Sequence, residues 1–257
     1  RYEMRFFFDI SFKGTHYSGW QRQTKGIASI QEELENALHK VTGSETPVMG
    51  CGRTDAGVHA SSFFAHFDAS TCPDIIKLNY TLPADIVIHQ VFQVQQDAHA
   101  RYDALSRTYD YFIHASKNAF QDELSFLYGG KIIFPERVHE ACDYILKNQD
   151  FKSFCKTPER HKSTVCTIYE CYWEFDFDEG RHHFRIKANR FLKSMVRILV
   201  HDLLAVGEGR ISLETFRQCL EGNRDSQIHQ IAYPQGLYLS EIEYTYLKVE
   251  QPKIKLY

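Results

Sequence analysis

The chain has 257 residues, 43% of them hydrophobic and 25% charged, which is enough for one large core or two fused small domains. Its formal net charge of −3 and pI of about 6.5 exclude a protein that holds nucleic acid by bulk basicity, although a local basic patch is compatible with those totals. Seven cysteines without a Cys-x-x-Cys pair, and 13 histidines without a His-Glu-x-x-His run, argue against a disulfide framework and against a metal site.

The N-terminus has no signal-peptide layout and no apolar run approaches membrane-spanning length, so a soluble, cytoplasmic protein without a membrane partner is expected. Met4 to Phe12 is β-rich and apolar and predicts a strand. A polar, aromatic loop follows to Gln23. Ser29-Ile30-Gln31-Glu32 has capping-box spacing, and Ile30, Leu34, Leu38 and Val41 continue it as a helix that ends near Gly43. Val48–Cys51 and Ser62–Asp68 predict strands, Asp74–Tyr80 a short helix, and Ile86–Val94 a strand. Thr108–His114 predicts a strand with Tyr109, Tyr111 and Ile113 on one face. A helix follows Pro135, marked by Val138, Ala141, Cys142, Ile145 and Leu146. Thr167–Phe177 and Arg181–Ala188 predict a hairpin around Asp178-Glu179-Gly180. Phe191–Val206 predicts a long helix, Ser212–Leu220 another closed by Gly222, and Leu237–Val249 the last strand. Lys117–Leu127 and Cys155–Val165 predict loops.

The order is β-α-β-β-α-β, twice. It predicts an α+β fold of two ferredoxin-like halves, residues 1–104 and 105–257, with mainly antiparallel sheets joined around a central cleft and helices on the outer faces. The halves share no evident sequence similarity, so the repeat rests on element order alone.

Three stretches carry candidate chemistry. In Gly50 to Ala60, three glycines fall within eight residues, and Arg53 and Asp55 stand two apart among small residues. A surface turn with a solvated ion pair is one reading; a loop that delivers a carboxylate and a guanidinium to a site is the other. The Asp55 carboxylate suits a nucleophile, a general base or a metal ligand, with His59 the one local partner for a metal. In the second stretch, Arg190, Lys193 and Arg197 fall at helical spacing and predict a basic helix face, either solvated or presented to RNA phosphates or to a buried acid. Arg181, His182, His183 and Arg185 on the preceding hairpin extend that basic surface. The third stretch, Arg107-Thr108-Tyr109-Asp110-Tyr111, places a cation and aromatics on one strand face, which suits core packing or base stacking. His99-Ala100-Arg101-Tyr102 repeats that mixture of cation and aromatic.

Gly52 to Ala60, Gly-Arg-Thr-Asp-Ala-Gly-Val-His-Ala, resembles the signature of the tRNA pseudouridine synthase A family. Further segments match that family in the same order: Tyr17 to Gln23, Tyr80 to Ile86, His99 to Tyr102, Arg107 to Tyr111, Ala188 to Arg197, and Gly236-Leu237-Tyr238-Leu239. The resemblance covers nearly the whole chain. Departures are Phe12-Lys13-Gly14 in place of Tyr-Asp-Gly, Lys193-Ser194 where histidines are frequent, and Tyr102 where phenylalanine is common.

The resemblance implies an isomerase that converts uridine to pseudouridine in the anticodon stem-loop of tRNA, at tRNA positions 38–40, without a cofactor. It implies that Asp55 is the catalytic aspartate, either adding covalently or deprotonating the sugar. Tyr109 then stacks on the target base, Arg197 pairs with the aspartate, Arg53 helps to flip the base, and Leu237 packs against it. Arg101, Arg107, Arg190 and Lys193 are the expected RNA contacts, and a homodimer bridged by tRNA is the implied assembly. Two other readings stand beside this one: an RNA-binding module without catalysis, and a metal-dependent hydrolase using Asp55 and His59.

Overall fold

The computed structural model describes residues 2–223 and 230–248. Its described residues form mainly antiparallel strands and five α-helices, an α+β fold. The chain divides into two compact units, Arg1–Leu105 with Tyr238–Tyr257, and Ser106–Leu237.

The first unit contains β1 (Met4–Phe12), α1 (Ile30–Thr42), β2 (Met49–Gly50), β3 (His59–Ala69), α2 (Ile75–Thr81) and β4 (Ile86–Gln93). The chain returns to it with the last strand, which is labelled β9 (Leu237–Glu243) after the strands of the second unit. β1 lies between β4 and β3, antiparallel to both. The other edge of β3 takes β2 at Ala65–His66 and, in parallel, β9 at His59–Ala60. A reading in chain order puts residues 105–257 in one half; the pairing of β9 with β3 groups the chain from Tyr238 on with the first unit. β9 ends at Glu243, short of the expected Val249, which lies outside the described residues.

β1 is mostly apolar, interrupted by Arg5, Asp9 and Ser11, because both of its faces are covered. Phe6 and Phe8 meet Phe67, and Phe12 meets Phe63, which stacks on Trp20 at 4.4 Å. On the opposite face, Phe7 meets His66 and the edges of Tyr244 and Tyr246. Ser29 caps α1 as expected, its hydroxyl accepting from the Glu32 N–H, and Gly43 closes the helix at φ 75°.

The second unit contains β5 (Ser106–His114), β6 (Phe126–Leu127), α3 (Pro135–Lys147), β7 (Ile168–Asp176), β8 (Arg181–Ala188), α4 (Met195–Glu208) and α5 (Leu213–Leu220). β8 is central and antiparallel to both β5 and β7, and β6 runs parallel to the end of β5. α3 packs on β7 and α4. α4 is the unit's core helix, and eleven of its residues are buried.

Three expectations are corrected: β3 begins at His59, not Ser62, β6 lies within the Lys117–Leu127 stretch expected as a loop, and the long helix starts later. The helix predicted from Phe191 begins at Met195. Asn189 is held to Thr167 at both ends of its residue: its N–H donates to the Thr167 carbonyl at 3.1 Å, and its side-chain oxygen accepts the Thr167 N–H at 2.8 Å. The Lys193 carbonyl accepts from the Lys156 N–H, and Ser194 turns the chain at φ 61°. These ties hold residues 189–194 out of helical geometry, so Arg190 and Lys193 do not share a helix face with Arg197.

Candidate active site

In the first unit, Asp55 lies on the loop between β2 and β3, and its form is set by glycines elsewhere. Gly14 and Gly19, on the loop after β1, sit against its backbone. A Cβ on Gly14 would lie 2.0 Å from the Val58 carbonyl oxygen, and one on Gly19 would lie 2.2 Å from that of Thr54. Only residues without a Cβ allow two backbones to approach so closely. Hydrogen bonds fix the contact: Trp20 N–H to the Thr54 carbonyl, Gly57 N–H to the Tyr17 carbonyl, and Gly14 N–H to Nδ1 of His59 at 2.8 Å. The Tyr17 hydroxyl donates to Asp85 at 2.5 Å, which ties the Tyr17 and Leu-Pro-x-Asp segments together. On this clamped loop Asp55 is half-buried and Arg53 exposed.

His59 is fully buried, its Nδ1 accepts the Gly14 N–H, and its ring lies 4.7 Å from that of Tyr238. That is the environment of a loop anchor and not of a metal ligand, so the sequence pairing of His59 with Asp55 as ligands has no support in this geometry. Neither the clamp nor the Tyr17–Asp85 bond is legible in the sequence as a contact; the signal is that all their members except Gly14 fall in the matching segments.

Arg101 lies on a separate loop of the first unit, residues 98–103. It is exposed, with its guanidinium carbon 5.8 Å from the centre of the Tyr102 ring.

In the second unit, Tyr109 is half-buried on β5, with the edge of Phe191 5.0 Å from its ring at 89°. The irregular 189–194 segment therefore supplies the wall that orients this tyrosine. Arg107, two residues earlier, donates to the Asn189 carbonyl at 3.2 Å. Tyr111 does not extend a stacking face. It is fully buried, and its hydroxyl donates to the Tyr233 carbonyl at 2.7 Å. Burial raises its pKa above the ordinary phenol value, with the Arg197 charge opposing the rise.

Arg197, in the first turn of α4, is half-buried and tied twice to Ala232. Its Nε donates to the Ala232 carbonyl at 2.7 Å, and the Ala232 N–H donates to the Arg197 carbonyl at 3.0 Å. The same segment leads to Gly236, where a Cβ would lie 2.6 Å from the Tyr111 ring and 2.8 Å from the Phe112 carbonyl oxygen. Gly236 thus lets the chain pass close to β5 and brings on Leu237, which is buried.

The expected basic hairpin surface is largely neutralised. His183 contacts Asp110 at 2.6 Å and Glu174 at 3.2 Å, and Arg185 contacts Asp110 at 2.9 Å and Glu170 at 3.4 Å. Burial opposes the charge on His183, but the two carboxylates outweigh it and raise the imidazole pKa. His182 is buried, which lowers its pKa, and Arg181 faces Glu179 at 3.9 Å. Cross-strand carboxylates were visible in the sequence, but their pairing needs the β5–β8–β7 register.

Comparison with known proteins decides the family. The chain is 40% identical over 245 residues to the tRNA pseudouridine synthase A of Bacteroides fragilis, spanning 93% of this chain and 96% of the relative. The chain belongs to the tRNA pseudouridine synthase A family. The Porphyromonas gingivalis enzyme of that name is 39% identical, with 93% of this chain and 97% of the relative covered, and that of Clostridium acetobutylicum is 35% identical, with 91% and 97% covered. A family model described as tRNA pseudouridine synthase matches residues 141–245, a span that includes Arg197 and Leu237. Among the described residues no helix is long and apolar enough to cross a membrane.

Proposed function

We propose that this protein isomerises uridine to pseudouridine in tRNA, at positions 38–40 of the anticodon arm. Full-length similarity to tRNA pseudouridine synthases A carries the reading. The clamped loop supports it, because it carries a half-buried carboxylate, Asp55, beside an exposed arginine, Arg53. In the reaction the C1′–N1 glycosidic bond breaks, the uracil rotates, and a C1′–C5 bond forms; C5 gives up its proton and N1, which keeps the bonding electron pair, takes one up. Asp55 either adds covalently or deprotonates the sugar, and Arg197 holds its charge. Tyr109 stacks on the extruded base, Arg53 takes the place that base leaves, and Leu237 packs against it. Arg101, Arg107, Arg190 and Lys193 contact the RNA backbone. Each half is read as one ferredoxin-like β-α-β-β-α-β unit, and two copies of the chain share one tRNA.

Loss of the C5 proton gives the test. Tritium release from [5-³H]uridine-labelled tRNA is expected from the wild type and should be absent in Asp55→Ala with the melting temperature retained. Release at the wild-type rate by Asp55→Ala would remove Asp55 from the mechanism. Mapping pseudouridine in tRNA from cells lacking the protein should show loss at positions 38–40 alone.

A further inference from the structure

The loop of residues 98–103 carries a feature that the catalytic reading does not use. Tyr102 is 76% exposed, yet its ring is not loose. It lies on the His99 ring at 4.2 Å and 31°. The His99 ring meets His66 at 4.6 Å, and His66 stacks on the buried Phe7 at 5.9 Å and 24°. An aromatic column therefore runs from the core of the first unit to solvent and ends in Tyr102.

The backbone beneath it is fixed at every residue. His99 N–H donates to Asp103 Oδ2 at 2.7 Å. The N–H groups of Arg101 and Tyr102 donate to His99 Nδ1 at 3.1 and 3.2 Å. Ala100 N–H donates to His66 Nδ1 at 3.1 Å, and the Tyr244 hydroxyl donates to the Ala100 carbonyl. Asp103 is further held by the Tyr246 hydroxyl at 2.7 Å, so its charge is matched by two donors. Burial lowers the pKa of both imidazoles, that of His66 to about 4, which leaves the column neutral near pH 7 with the Arg101 guanidinium carbon over the Tyr102 ring, 5.8 Å from its centre.

We propose that Tyr102 is a stacking shelf for an unpaired nucleobase of the RNA substrate, with Arg101 on the adjoining phosphate. A tyrosine whose only task is to cover two histidines needs neither a rigid loop nor a cation over its ring. A preorganised aromatic face with a neighbouring guanidinium is what an unstacked base and its phosphate require, and a paired base has no free face to offer. The shelf rests on the reading that the substrate is RNA, and it adds a recognition residue that does not touch the reacting atoms.

Tyr102→Phe, Tyr102→Leu and Tyr102→Ala separate stacking from cover. Affinity is read by filter binding of an unmodified tRNA transcript, turnover by tritium release, and folding by thermal melting. The Ala and Leu variants should raise Kd and KM by about 5- to 100-fold with kcat within about twofold, and Phe should stay within about twofold of wild type in all three. Tyr102→Leu binding tRNA as tightly as Tyr102→Phe would overturn the shelf, because aliphatic cover would then suffice. That comparison holds even if the Ala variant fails to fold. A wild type that binds tRNA without releasing tritium would refute the proposed reaction, while the Kd series would still decide the shelf.

Discussion

Asp55 owes its place to residues that have no chemistry of their own. Gly19 stands at φ 104°, and a Cβ there would press on the Thr54 carbonyl oxygen one residue before the carboxylate. Gly19→Ala should therefore displace the loop, lowering tritium release at least about tenfold and stability by about 1–3 kcal/mol while Asp55 itself is untouched. Wild-type turnover in that variant, measured beside its melting temperature, would show that the clamp does not set the site. Asp9, in the middle of β1, makes a second residue-scale prediction. It is buried, its Oδ1 has no hydrogen-bond partner among the described residues, and burial raises its pKa to about 6 against a small opposing effect of Ser62. The folded chain thus holds this proton more tightly than the unfolded one. Stability is greatest below the unfolded value near 3.8, falls as pH rises through about 6, and stays lower above it. Asp9→Asn removes that loss, so it should melt higher than wild type at pH 8, by the equivalent of about 3 kcal/mol, with the gap shrinking at pH 5. Equal melting temperatures at pH 8 would show that the carboxylate is solvated. The sequence displays Asp9 as one of three polar residues, with Arg5 and Ser11, in a mostly apolar stretch; that both faces of β1 are covered depends on Tyr244 and Tyr246, far along the chain, and could not be read locally.

At the scale of elements, periodicity located most strands and helices but placed the starts of β3 and α4 wrongly and missed the two-residue β6. Phe191, Met195, Ile198 and Leu199 fall at helical intervals, and nothing local forbids a helix from 191. The obstacle is tertiary: Asn189 pairs with Thr167, and the chain must cross from the end of β8 before it can coil. The crossing is made by Ser194, the one described non-glycine residue with positive φ. A left-handed backbone carries a steric penalty for any residue with a Cβ, which a glycine avoids. Ser194→Gly is expected to raise stability by about 0.5–1 kcal/mol, seen as a higher midpoint in urea at unchanged slope. A lower midpoint would mean that the hydroxyl does more than turn the chain. The consequence for the site is larger than the energy. Because 189–194 is irregular, Phe191 faces Tyr109 instead of the helix core, and the aromatic that orients the proposed stacking residue comes from a segment expected to be helical.

For the molecule as a whole, the closing strand is what chain order hides. β9 leaves the second unit at Leu237 and pairs with β3, and the residues after it complete the core of the first unit. Tyr244 meets both Phe7 and Phe64 edge-on and donates to the Ala100 carbonyl, 144 positions earlier. One side chain therefore joins β1, β3 and the loop that carries Arg101 and Tyr102. Replacing it should act on that whole set. Tyr244→Ala deletes a buried aromatic and should cost about 3–5 kcal/mol, whereas Tyr244→Phe keeps the ring, loses one hydrogen bond, and should cost about 1 kcal/mol. The distribution of the loss is more telling than its size. Under native conditions the amides of β1, β3 and residues 98–103 should exchange faster in Tyr244→Ala, and those of α3 and β7, within the second unit, should change only as far as global stability falls. If α3 and β7 lost protection first, Tyr244 would not be the keystone of the first unit, and the rigidity assigned to the Tyr102 loop would have to come from elsewhere.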